Sequence, residues 1–349
     1  MRRPFRILFV TLITVSVVAV TFSFYGYQML FTPNVLVEKP DHLLYIPTGA
    51  TYATVIDSLE KYDMVQDPVS FSFLARLSGY QDNVKPGVYQ LRKDMTNKEA
   101  LWLLRSGAQV PVNLTFNNVR VKQDLADRLA QYVEAPSEQI LGMLRDTAIA
   151  RQYGFDTLNF VSMFIPNTYE VYWTTSPQAL FDRMHKEYEA FWNTEQNGTT
   201  RRDKAQALDL TPQQVTVLAS IVEAETKKPD EMPRVAGVYL NRLQRGWALQ
   251  ADPTIVFASG DFALKRVLNV HKEIDSPYNT YMYPGLPPGP INLPSIRAID
   301  AVLNSEEHKY MYFCAREDFS GYHNFAQTLT EHNRNALIYQ RALNAAGIR

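Results

Sequence analysis

One stretch constrains this chain before anything else does. From Ile7 to Val37 there is no charged residue, and the part from Ile7 to Tyr27 (ILFVTLITVSVVAVTFSFYGY) is apolar. About 20 apolar residues carry a helix across a bilayer. Arg2, Arg3 and Arg6 stand before the stretch. Positive charge there keeps residues 1–6 in the cytoplasm and sends the rest of the chain out. Phe22, Phe24, Tyr25 and Tyr27 would form an aromatic belt at the far interface. A cleaved signal peptide would have a shorter apolar core of about 7–15 residues and an A-x-A-like site. No such site follows, and no Cys is placed to carry a lipid. The expectation is a single-pass anchor over 7–27, a linker over 28–40 and an exported soluble part beginning near Asp41.

Composition excludes several function classes. With 35 Lys+Arg against 36 Asp+Glu the formal net charge is -1, so no general attraction to nucleic acid is expected. Cys314 is the one cysteine, which rules out an internal disulfide and a Cys-based zinc site. Its apolar neighbours suggest a buried structural thiol. The six His include no H-x-x-x-H or H-E-x-x-H, and there is no G-x-S-x-G and no P-loop. No metal or cofactor is expected.

The soluble part reads as α+β. Residues 43–46 (LLYI) form a short strand, and Thr51 caps a helix in a capping box left incomplete by Thr54 at its third position. Further expectations are a helix over 68–77, a strand over 84–91, and a helix from Thr96 ended by Gly107. Residues 112–121 alternate as a strand does, and helices follow at 122–134, 136–147 and 177–193.

Thr211-Pro212 opens a strong helix that runs to about Lys227. Glu223 and Glu225 lie about 200° apart on it. Leu218, Ile221 and Val222 fall within about 60° of Glu225, whereas Glu223 lines up with Thr216, Ala219 and Ser220. A carboxyl on an apolar face has its pKa raised and can serve as a general acid near neutral pH. On the helix alone, Glu225 reads more readily as a surface or salt-bridged residue at a helix end, where carboxylates are common. Downstream, ADPTIVFASG (251–260) opens on an Asp-Pro turn. YNTYMYPGLPPGPINLPS (278–295) holds three Tyr, two Asn and five Pro. Pro fixes that loop, and its rings and amides are the groups that hold sugars. Near the C-terminus, 310–315 reads as a buried strand, 321–325 as a turn into another strand, and Thr330 as the cap of a last helix.

These residues resemble a known family. LASIVEAET (218–226), VAGVYLNRL (235–243), LQADPTIVF (249–257), SPYNTYMYPGLPPGPINLPS (276–295) and YFCA…GYHNFAQTLTEHN (312–333) are similar to the endolytic murein transglycosylases, bacterial membrane-anchored lytic transglycosylases of the YceG-like type. IPTGATYATVIDSL (46–59), KPGVYQL (85–91) and MTNKEALWLLRSG (95–107) look like the family's LysM-like subdomain. The resemblance implies a LysM-like unit over 41–110 and a mixed α/β catalytic domain over 111–349. It implies cleavage of the β-1,4 bond between N-acetylmuramic acid and N-acetylglucosamine, leaving 1,6-anhydromuramic ends. It places the essential acid/base on Glu225, with Glu223 as the fallback. Asn241, Gln250, Asp252, Thr254, Tyr278, Asn279, Thr280 and His323 would line the glycan groove. The implied setting is the bacterial inner membrane with the catalytic part outside it, peptidoglycan strands as substrate, and cell-wall synthases as expected neighbours. Two departures stand out: Leu293 occupies a position where relatives tend to have a small residue, and Ile165-Pro166-Asn167-Thr168-Tyr169 carries Asn where the family has Asp. Two alternatives stay open, a hydrolytic muramidase with Asp252 as partner carboxylate and a non-catalytic, membrane-tethered peptidoglycan scaffold.

Overall fold

The computed structural model describes residues 3–37, 42–117 and 119–347. Arg2, positions 38–40 of the expected linker and its boundary at Asp41 lie outside the described residues. The chain divides into two units: Met1–Asn113 with Tyr132–Glu134 and Glu170–Thr175, and Leu114–Gln131 with Ala135–Tyr169 and Ser176–Arg349.

The first unit opens with α1 (Arg3–Phe31). Over Phe5–Phe31 it is long and apolar enough to cross a membrane. It runs four residues past Tyr27, and Pro33, which cannot continue a helix, follows its end. The expected linker over 28–40 therefore needs correction. Met29 and Leu30 pack on the unit's core, and Val35 and Val37 are buried in it. Pro33 bridges to Thr96 and Val35 to Val65. The Asn34 amide donates to Asn97 Oδ1 (2.6 Å), and the Asn97 amide donates to the Met29 carbonyl (3.1 Å) and Ser70 Oγ (3.0 Å). Two buried valines spaced for one strand face, with the exposed Leu36 between them and the buried Asn34 before them, make a core segment rather than a solvated tether.

After it come β1 (Leu43–Ile46), α2 (Tyr52–Lys61), α3 (Pro68–Leu77), β2 (Gly87–Gln90) and α4 (Asn97–Ser106). β1 and β2 pair antiparallel with Leu44 opposite Tyr89. The capping box of α2 is complete after all, because the Thr54 hydroxyl does what a Glu would do and accepts from Thr51 N (3.3 Å). Phe71, Tyr80, Tyr89 and Leu104 centre the core.

Next follow β3 (Val112–Thr115), α5 (Lys122–Ala130), α6 (Ser137–Arg145), α7 (Thr147–Gln152) and β4 (Thr168–Val171), which pairs with β3. β3 is shorter than the expected 112–121. Asp124 accepts from Arg120 N and Val121 N (3.2 Å each), which commits that segment to the start of α5. α8 (Pro177–Asn193), α9 (Arg201–Ala207), α10 (Pro212–Glu225), α11 (Met232–Gln244), α12 (Asp252–Ser259), α13 (Ile296–Leu303), β5 (Tyr312–Ala315), β6 (His323–Ala326) and α14 (Leu329–Ala345) complete the chain. Asp252-Pro253 opens a helix rather than the expected turn, since Pro is well suited to a helix's first turn. β5 and β6 pair antiparallel and pack on α14, so β5 and Cys314 are half-buried rather than buried. α14 is capped by Thr328, whose hydroxyl accepts from Glu331 N (3.2 Å), and not by Thr330.

α10 is the centre of the second unit. Thr211 caps it, with Gln214 returning the bond to Thr211 N (2.8 Å). Every residue from Val215 to Val222 is buried, so the helix has no solvated face there. It ends at Glu225, two residues before Lys227. Thr226 turns extended, and its hydroxyl donates to Glu231 Oε2 (3.1 Å).

Candidate active site

The two carboxylates of α10 have different surroundings. Glu223 is fully engaged: Oε1 accepts from Ser295 Oγ (2.5 Å) and Oε2 from Ser295 N (3.1 Å). Ser295 is the N-cap of α13, so Glu223 fastens the start of that helix to α10. One turn earlier Ser220 holds the same Pro-rich loop. Its hydroxyl accepts from Ile291 N (3.1 Å), and its carbonyl accepts from the Asn292 amide (2.9 Å).

Glu225 faces a cleft of about 1010 Å³. Its Oε1 accepts from the Tyr239 hydroxyl of α11 (2.8 Å). Burial raises its pKa to about 7. The Tyr239 bond pulls the other way, the charge of Asp252 adds to the rise, and His323 and Arg242 oppose it. Asp252, at the first turn of α12, lines the same cleft and accepts from the Tyr281 hydroxyl (2.6 Å). Asn292 and Leu293 line it as well, and Leu293 is anchored by its N–H to the Val119 carbonyl (2.7 Å). The cleft therefore holds one carboxyl that keeps its proton near neutrality, beside a second carboxylate fixed by a tyrosine. A group of the first kind can give a proton to a leaving oxygen and take one back.

The other expected groove residues are distributed otherwise. Thr254 and Thr280 are buried and face each other (2.8 Å), with Ala251 N donating to Thr280 Oγ1 (3.0 Å). They lock the start of α12 to the Tyr-rich loop. Asn279 is buried and ties that loop to itself, donating to the Lys272 and Ile274 carbonyls (2.9 and 2.8 Å). Tyr278 packs at a tilt against the cleft-lining Phe257, with ring centres 4.6 Å apart, and burial pushes its hydroxyl up to about 12. Gln250 is exposed, at a φ of 50°. The Asn241 amide points to the carbonyls of His308 and Tyr310 (2.8 and 2.9 Å), so it positions the chain leading to β5. His323 Nδ1 pairs with the buried Glu231 at 2.7 Å, and its N–H donates to the same carboxylate. His323 thus joins β6 to the turn between α10 and α11, near enough to Glu225 for its charge to count.

Sequence reasoning missed Tyr239, Tyr281 and Glu231. Tyr239 could have been flagged as a polar-tipped ring inside the apolar run VAGVYLNRL, since a buried Tyr hydroxyl needs a partner. Glu231 gave no signal, because its partner His323 lies far away along the chain.

Comparison with known proteins shows the family. Residues 44–337 match the YceG-like family, and the chain belongs to that family. A protein named endolytic murein transglycosylase from Streptococcus pneumoniae serotype 2 (strain D39 / NCTC 7466) is 27% identical over 350 residues, covering 90% of this chain and 61% of that protein. The chain thus spans 61% of the length of that relative. One of the same name from Bacillus subtilis (strain 168) is 27% identical over 305 residues, covering 83% and 82%. The crystal structure of a yceG-like protein from Listeria monocytogenes superposes with a TM-score of 0.55 at 25% identity, over 84% of this chain and 98% of that one.

Proposed function

We propose that this chain is a membrane-anchored lytic transglycosylase that cuts peptidoglycan glycan strands internally, between N-acetylmuramic acid and N-acetylglucosamine. The observation that carries the reading is the Glu225 carboxyl, held in a large cleft with its pKa near 7 while its neighbour Glu223 is tied to Ser295. Protonated Glu225 gives its proton to the leaving oxygen of the glycosidic bond. The carboxylate so formed takes the proton of the muramoyl 6-hydroxyl, whose oxygen closes on C1. The product end is 1,6-anhydromuramic acid and no water is consumed. The names of the relatives support the substrate and reaction. Tyr239 acts as a positioning residue for Glu225. The βααβ order of the first unit supports reading it as a LysM-like subdomain, and α1 supports single-pass anchoring with the catalytic part outside the membrane.

A second reading rests on Asp252. As a carboxylate in the same cleft it could activate water, and a hydrolytic muramidase would result. Digestion of purified peptidoglycan by the full chain in detergent, beside Glu225→Gln, separates the two by product mass. Anhydro ends from the native chain and none from the variant are expected. Reducing muramic ends would overturn the lyase reading, and anhydro ends persisting in the variant would move the acid elsewhere.

A further inference from the structure

The wall of the cleft carries an uneven charge. Arg120, Lys227, Lys265 and Arg266 line it, together with only two acids, Glu225 and Asp252. Glu225 is largely neutral below about pH 7, and Asp252 is engaged by Tyr281. Among the described residues none of the four cations has a carboxylate partner. The ion pairs among the described residues are Arg183–Glu187, Arg201–Asp300, Arg202–Glu189, Arg234–Glu306 and His323–Glu231. The Arg120 guanidinium lies over the Phe262 ring at 5.2 Å, and the Lys227 ammonium donates to the Glu223 carbonyl at 2.9 Å. The chain as a whole is nearly neutral, at -1. Four cations without a described carboxylate partner lining one cleft therefore do not follow from composition.

A neutral sugar chain has no use for such a rim, whereas a ligand bearing carboxylates does. Muramic acid carries a lactyl arm on O3. In an intact strand that arm is joined to a stem peptide with several free carboxylates, and in a peptide-free strand the lactyl carboxylate itself is free. We propose that the Arg120/Lys265/Arg266 rim binds carboxylates carried on the lactyl arm, those of the stem peptide in an intact strand, and makes the cleft selective for them. This rests on the reading of Glu225 as the acid of a glycan-cleaving site. Single exposed cations contribute little, but several together steer an anionic polymer and lower its KM in a salt-dependent way.

The test uses the full chain in detergent and four substrates: peptide-bearing strands, amidase-stripped strands, and each of these with its carboxylates capped as methylamides. Capping peptide-bearing strands is expected to lower kcat/KM by about tenfold, mainly through KM, with the difference shrinking at high salt. The triple variant Arg120→Gln/Lys265→Gln/Arg266→Gln is expected to bring the capped and uncapped rates together. A larger effect of capping on stripped strands supports the rim with the lactyl carboxylate as its ligand. Equal kcat/KM for capped and uncapped strands of both kinds overturns the inference, using the native chain alone and so independent of how the variant folds. A native chain that cleaves no strand at all would instead sink the proposed function.

Discussion

Glu225 shows how one residue can tie activity and stability to the same proton. In the proposed reaction Glu225 acts in its protonated form, so kcat/KM should fall as pH rises through about 7. Two neighbours move that limb in opposite directions. Tyr239→Phe removes a hydrogen bond that favours the ionised carboxyl, so the limb should move to higher pH. Asp252→Asn removes a repelling charge, so the limb should move to lower pH. A pH–rate profile in which both variants shift the same way would contradict the site electrostatics. For stability, a raised carboxyl pKa has its own sign. Below 4.5 both folded and unfolded chains hold the proton. Between 4.5 and about 7 only the unfolded chain releases it, so the contribution is lost as pH rises, and above 7 the full cost is present. Glu225→Gln should therefore melt like the native chain near pH 4 and be more stable by roughly 1–3 kcal/mol near pH 8. Helical angles favoured Glu225 over Glu223, and the structure separates the two residues on a different ground. The helix is buried on all sides, and the two residues are separated by their partners: Ser295 for one, an open cleft for the other. Those partners lie far along the chain, where no periodicity reaches.

At the level of elements, α10 is held by contacts that single substitutions can probe. Glu223→Ala removes the acceptor for the N-cap residue of α13, Ser295, and should lower stability by about 1–2 kcal/mol, with the proposed glycan cleavage surviving in the folded fraction. A thermal melt beside a product assay reads both. Gly237, inside α11, gives a sharper case. A Cβ there would run into the Glu306 carbonyl and the His308 ring. Ala is the better helix former by about 1 kcal/mol, so a propensity argument predicts stabilisation by Gly237→Ala. The close approach predicts the reverse, a loss of more than about 2 kcal/mol in denaturant melts. Helices announced by caps and breakers, such as α8 and α10, could be read from the sequence, as could β1. The helix at Asp252 and the short β4 could not. A Pro in a first turn reads like a turn, and four residues such as Thr168–Val171 become a strand only when β3 supplies a partner.

For the whole molecule, the long apolar helix near the N-terminus was legible because hydropathy over 20 residues needs no tertiary information. The boundary between anchor and first unit was not, since the sequence 28–37 reads as apolar whether it crosses lipid or fills a core. That boundary governs how the protein can be made soluble. Val35 and Val37 occupy the core, Asn34 bonds to Asn97, and the Asn97 amide reaches back to Met29. A fragment that starts at residue 42 leaves behind a greasy furrow and a buried Asn97 side chain that keeps only its bond to Ser70. It should elute as aggregate in size-exclusion chromatography and melt well below a fragment that starts at residue 28. Whoever trims this protein for crystals or assays is choosing, with that cut, whether its first unit keeps its own floor.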